Sequence, residues 1–166
     1  VNAQWASGAL SKERFALAAT SIGTKVLFAG GSEQNYIISS IVDIYDNQTD
    51  TWSTTNLSAP RFELAAASAG SKAFFAGGHT GSEYSDIVDI YDNATNTWTT
   101  GKLSEPRSQL CATSAGTKVF FAGGRKSGGA ERSDVVDIYD TKTNTWSIHK
   151  LSQARCWLAA TSIGNK

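Results

Sequence analysis

An all-β fold made of four-stranded units repeated head to tail is what this sequence predicts, and three observations carry the prediction. The phrase VDIYDNQTDTW, beginning at Val42, returns as VDIYDNATNTW at Val88 and as VDIYDTKTNTW at Val136. Tryptophans at Trp5, Trp52, Trp98 and Trp146 and arginines at Arg14, Arg61, Arg107 and Arg155 share the same three spacings of 47, 46 and 48 residues. No segment sustains a helical period; short apolar and Thr-rich runs alternate instead with Gly, Asn and Asp. Self-similarity at such a period marks an array of units that bury their faces against one another.

Each unit divides into four strands. The first reads ALAATS, ELAAAS, QLCATS or WLAATS, all small residues, and the second reads KVLFAGG, KAFFAGG or KVFFAGG. Between them IGTK, AGSK or AGTK offers a two-residue hairpin loop with Gly free to take positive φ. The third strand is IVDIYD or VVDIYD, and the fourth starts at the TW pair. Asp followed by polar residues between third and fourth favours an Asx-type turn. Such units describe the blades of a β-propeller, in which innermost strands converge on an axis and must carry small side chains.

The glycine pairs Gly30-Gly31, Gly77-Gly78 and Gly123-Gly124 close the second strands, and six residues separate Tyr45 from Trp52, Tyr91 from Trp98 and Tyr139 from Trp146. In these features the chain resembles the kelch-repeat family over essentially its whole length. The resemblance implies a ring of six or seven blades, of which this chain would hold about three and a half as one partial domain. The expected division is a lone fourth strand over 1–10, repeats over 11–57, 58–103 and 104–151, and the start of a fourth repeat over 152–166. Two copies closing one ring would leave first and fourth strands side by side with unpaired edges. The remaining blades are therefore expected from a longer chain rather than from another subunit.

Composition narrows the partners. Fifteen basic and fifteen acidic residues cancel without forming blocks, which argues against nucleic acid or a membrane surface as partner. No apolar run approaches the roughly 18 residues of a membrane span. The sequence has no Met and begins at Val1, so it is expected to be processed, trimmed or incomplete at that end, and cytoplasmic and secreted locations both stay open. Cys111 and Cys156 are expected as buried free thiols.

Residues that recur in every unit are expected to pack blades together. On this ground Trp5, Trp52, Trp98 and Trp146 are assigned to inter-blade packing and the glycine pairs to close backbone approach; no Lys-Ser or Lys-Thr follows them in a P-loop arrangement. Arg14, Arg61, Arg107 and Arg155 are assigned to backbone carbonyls and to carboxylates such as Asp43, Asp89 and Asp137, the alternative being a guanidinium ring that receives an anion. Binding is expected where units differ, on loops held by that scaffold. The second-to-third connections SEQNYIISS, HTGSEYSD and RKSGGAERSD emerge at the same end as the variable pairs Phe15-Ala16, Phe62-Glu63, Ser108-Gln109 and Cys156-Trp157. Candidate binding residues on that face are Glu33, Tyr36, His79, Glu83, Tyr84, Arg125, Lys126, Arg132 and Trp157.

No catalytic, metal or cofactor site is read from the residues. The two histidines, His79 and His149, fall in different blades, and no Ser lies in a nucleophile-elbow context. Asn47, Asn56 and Asn93 head N-glycosylation triplets, usable in a secreted protein. The leading expectation is a non-catalytic scaffold for a protein or peptide. The alternatives are a structural assembly component associating through blade edges and loops, and a fragment of a galactose-oxidase-like enzyme whose active site lies outside this chain.

Overall fold

The computed structural model describes residues 8–126 and 131–162. Twelve strands form three four-stranded antiparallel meanders among these residues. Blade 1 comprises β1 (Ala18–Ile22), β2 (Lys25–Ala29), β3 (Ile41–Asp46) and β4 (Thr51–Asn56); blade 2 comprises β5 (Ala65–Ala69), β6 (Lys72–Ala76), β7 (Ile87–Asp92) and β8 (Thr97–Lys102). Blade 3 comprises β9 (Cys111–Ala115), β10 (Lys118–Ala122), β11 (Val135–Asp140) and β12 (Thr145–Lys150). The expected order of strands within each unit is the observed one.

Local chemistry sets both kinds of hairpin. Gly23, Gly70 and Gly116 take φ of +57°, +58° and +58° in the two-residue loops, which a residue with a Cβ adopts only at a cost. At the other hairpin Asp46, Asp92 and Asp140 each accept the N–H two residues on, at 2.9, 3.0 and 2.9 Å. The six-residue interval places Tyr45 opposite Trp52, Tyr91 opposite Trp98 and Tyr139 opposite Trp146 across that hairpin. Their rings lie 5.2, 5.2 and 5.0 Å apart. Each tyrosine hydroxyl then donates to the left-handed turn residue Asp50, Asn96 or Asn144 at 3.0, 2.9 and 3.0 Å. The recurring phrase is thus a self-contained hairpin in which turn, ring pair and tether come from one stretch of chain.

Blades meet over two apolar clusters. One joins Leu27, Val42 and Leu57 of blade 1 to Leu64, Phe75 and Tyr91 of blade 2, with Trp98 packed against it. The other joins Phe74, Val88 and Leu103 to Leu110, Phe121 and Tyr139, with Trp146 packed against it. Trp52 lies in blade 1, whose outer flank no other described blade covers, and it remains 43% exposed. Trp5 lies outside the described residues. At the axis the inner strands β1 and β5 approach closely enough for Ser68 Oγ to donate to the Ser21 carbonyl at 2.6 Å, which bulkier side chains on those strands would prevent.

Two expectations need correction or restriction. Residues 8–10 and 152–162 form no strand, and the rest of the expected lone strands lies outside the described residues. An Ala-rich inner strand is half of a hairpin, and no described second strand pairs with residues 158–162. Cys156 is only half-buried, because no described blade packs over it, whereas Cys111 is buried at the start of β9. Burial pushes the Cys111 thiol up, away from the reactive thiolate. No helix among the described residues is long and apolar enough to cross a membrane.

The turn carboxylates also set an acid limit. Lys72 Nζ, 2.7 Å away, holds Asp92 below the usual carboxylate range, helped by the N–H of Ala94. The Gln48 N–H does the same for Asp46, and the Lys142 N–H for Asp140. A carboxyl lowered in the fold contributes stability that is complete above its unfolded pKa of about 3.9 and is lost as pH falls through the lower folded value. Urea midpoints are therefore expected to hold steady on acidification until about pH 4 and then fall, with a shallower fall in Asp92→Asn. An equal fall in that variant would remove Asp92 from the account.

Candidate functional site: the loop end of the blades

The arginines that recur in every unit build the floor of this end. Arg61 Nη1 donates to the carbonyls of Gly77 and Ile87 at 2.5 and 2.8 Å, and Nη2 pairs with the Asp89 carboxylate. The other Asp89 oxygen accepts the Ser58 N–H at 2.9 Å. Arg14 repeats the pattern with Gly30, Ile41 and Asp43, and Arg107 repeats it with Gly123, Val135 and Asp137. All three side chains are wholly buried. Burial pulls the Arg61 and Arg107 guanidiniums down while Asp89 and Asp137 push them back up; arginine remains charged. The Nε of each has no hydrogen-bond partner among the described residues but is buried, so none of the three presents an exposed donor to an anion.

The main chain of each arginine also fastens its blade to the one before. The Gly31, Gly78 and Gly124 N–H groups donate to the carbonyls of Arg61, Arg107 and Arg155, each at 2.8 Å. A Cβ added to Gly77, at φ +68°, would stand 2.5 Å from the Arg107 oxygen, so the first glycine of the pair is there for close approach. Arg155 keeps this backbone contact but differs in its side chain. It is exposed and, among the described residues, donates to Gln153 O and Ser152 Oγ, at 3.2 and 3.4 Å.

Above this floor each blade continues by isolated bridges that carry the variable residues. They link Phe15, Ser32 and Ile38 in blade 1, Phe62, His79 and Tyr84 in blade 2, and Ser108, Arg125 and Arg132 in blade 3. Tyr36 is 81% exposed, with Phe15 edge-on at 6.4 Å. His79 lies between Phe62 at 5.6 Å and Tyr84 at 4.8 Å, and its Nδ1 accepts the Gly81 N–H at 2.9 Å. Glu83 and Arg132 are exposed and Arg125 is half-buried. Glu33 meets Lys12 at 3.5 Å. Lys126 pairs with Glu105 at 2.8 Å. Burial raises the Glu105 carboxyl, but Lys126 and Ser133 together hold it below the usual range. The face thus runs from aromatic on blade 1 to basic on blade 3.

Nearer the axis the variable pairs form a feature of which the candidate set named only Trp157. Ala16, Glu63, Gln109 and Trp157 all adopt left-handed backbone, at φ of 54°, 56°, 54° and 55°. The N–H of Glu63 donates to Ala16 O at 2.9 Å, that of Gln109 to Glu63 O at 3.0 Å, and that of Trp157 to Gln109 O at 3.0 Å. This backbone arc brings four unlike side chains around a pocket of about 230 Å³ whose wall includes Leu17, Leu64, Leu110 and Leu158. Trp157 is 70% exposed there. Glu63 Oε2 accepts from Ser108 Oγ at 3.1 Å and from Gln109 Nε2 at 2.9 Å. Variation just after a recurring arginine was the available signal for Glu63 and Gln109; their convergence needed the arc.

Other expected positions fall elsewhere. Asn47 is exposed at the opposite hairpin end, Asn56 is exposed with its Oδ1 accepting Ser40 Oγ at 3.1 Å, and Asn93 is half-buried. His149 lies in β12, opposite Val136 and away from His79. Among the described residues no group of three or more His, Cys, Asp or Glu side chains is placed to hold a metal ion.

Antiparallel four-stranded meanders joined side by side along small inner strands define an array of β-propeller blades. Residues 16–163 match the Kelch-repeats domain described for KLHDC2, KLHL20 and DRC7, and the chain belongs to the kelch-repeat family. No curated protein matches it. A kelch-repeat array is in general a propeller-type scaffold for protein interaction.

Proposed function

We propose that this chain binds a protein or peptide, without catalysis, through the face formed by its second-to-third and fourth-to-first connections. The observation that carries the reading is the contrast between floor and face. The Arg–Asp–Gly floor is the same in three blades, whereas the bridges above it present Phe15 and Ile38, then His79 and Tyr84, then Arg125 and Arg132. Identical groups at each blade solve a packing problem common to all; unlike groups on a rigid support are what recognition of one particular partner requires. Tyr36, Glu83 and Arg132 would be reached first, and Trp157 would border the axial side.

The test is quantitative affinity capture with the protein as bait, comparing Tyr36→Ala and Arg132→Glu with the parent. Each variant is expected to keep its melting temperature, because both side chains are exposed. Each is expected to weaken retention of the same partner by roughly 2 kcal/mol, about 30-fold in affinity, if it is an anchor. Capture unchanged in both variants would move the binding surface away from this face.

A further inference from the structure

We propose that the axial pocket inside the left-handed arc is a subsite for one arginine side chain of the bound partner. This deepens the reading of the loop face and rests on it. The pocket is lined by one carboxylate with spare acceptor capacity, that of Glu63. Glu63 Oε2 is engaged by Ser108 Oγ and Gln109 Nε2, while Glu63 Oε1 has no hydrogen-bond donor among the described residues, and Glu63 lines the pocket. The orientation of Gln109 follows from that contact: a carboxylate only accepts, so the amide nitrogen must face Glu63. The Gln109 Oε1 atom is thereby turned away from Glu63 and buried, so the amide contributes to the pocket by orienting the carboxylate through Nε2.

A ligand suited to this place brings several N–H donors, a positive charge and an apolar stem. The charge answers Glu63. A fork of several donors can meet the Glu63 carboxylate oxygen that no neighbouring donor engages, and a hydrogen bond to a charged group is among the stronger ones. Leu64 and Leu110 supply apolar wall for an aliphatic stem, and the exposed indole of Trp157 offers a face on which a planar cation stacks. The guanidinium fork combines these properties; an ammonium is a compact point charge that keeps its water more tightly.

The experiment is a titration of the ¹⁵N-labelled protein with N-acetyl-arginine amide, following the Gln109 side-chain NH₂ and the Trp157 indole N–H, with N-acetyl-lysine amide and N-acetyl-norleucine amide as comparators. Saturable shifts at both groups are expected with the arginine amide, with binding at least about ten-fold weaker for the norleucine amide. Glu63→Gln keeps an acceptor for Ser108 and Gln109 and removes the charge; it is expected to weaken arginine binding at least about ten-fold. Trp157→Ala changes an exposed side chain and is expected to weaken it about three-fold or more. Equal response to norleucine, or unchanged binding in Glu63→Gln, would overturn the proposal, and equal or tighter binding of lysine would overturn the choice of arginine. A silent pocket with partner capture still sensitive to Tyr36→Ala would remove this subsite and leave the face standing.

Discussion

Asp89→Ala is expected to destabilise the protein by about 3–5 kcal/mol, because it leaves the Arg61 guanidinium charged and without its carboxylate in a fully buried position. Removing one partner of a buried pair is far worse than never having had the pair, since the remaining charge has lost its water and gains nothing in return. The same change also strands the Ser58 N–H, which donates to Asp89 Oδ1 at 2.9 Å. Denaturant unfolding of the purified protein measures the effect, and Asp137→Ala in blade 3 should repeat it. Arg155→Ala is the internal control: its side chain is exposed and pairs with no carboxylate among the described residues, so a change within about 0.5 kcal/mol is expected. Comparable losses at Asp89 and Arg155 would show that burial of the pair is not what stabilises the blades.

Gly77→Ala is expected to cost about 3 kcal/mol or more. Two effects add: an L-residue at φ +68° pays about 1–2 kcal/mol for the left-handed backbone, and its Cβ would stand 2.5 Å from the Arg107 carbonyl oxygen. That oxygen belongs to main chain that also accepts the Gly78 N–H at 2.8 Å, so relief requires the blades to move apart. Gly116→Ala separates the two effects, because Gly116 has φ +58° and nothing within 4 Å of an added Cβ. About 1 kcal/mol is expected there. Equal losses at the two positions in thermal or denaturant unfolding would mean that backbone conformation, and not inter-blade approach, explains the paired glycines.

These two sites also show why so much of the fold was legible in the sequence. A residue that recurs at intervals of 46 to 48 reports a demand made by every blade on its neighbour. The Tyr-to-Trp interval encodes a hairpin in which both rings and the Asx turn are close in sequence, so local chemistry suffices to place them. The expected carboxylate partners of the arginines, Asp43, Asp89 and Asp137, were likewise reachable, lying 29, 28 and 30 residues after their arginines. Trp98 and Trp146 pack against the clusters between blades, whereas Trp52 stays 43% exposed, because its cover depends on what lies on the flank of blade 1, and no repeat pattern expresses that.

The candidate site was legible only in outline. Variable loops drew attention to one end of the blades, but the sequence did not show that Lys126 and Glu33 are engaged in ion pairs with Glu105 and Lys12. Glu63 and Gln109 looked like ordinary variable residues, 46 positions apart. By itself the sequence determined the strands, their hairpins, their order within a blade and the residues that lock one blade to the next, since each of these is specified within one repeat or by its recurrence. Tertiary structure alone decided which unlike side chains share the axial pocket. Their meeting depends on backbone hydrogen bonds from Glu63 to Ala16 and from Gln109 to Glu63, contacts between blades that leave no periodic trace in the residues they bring together.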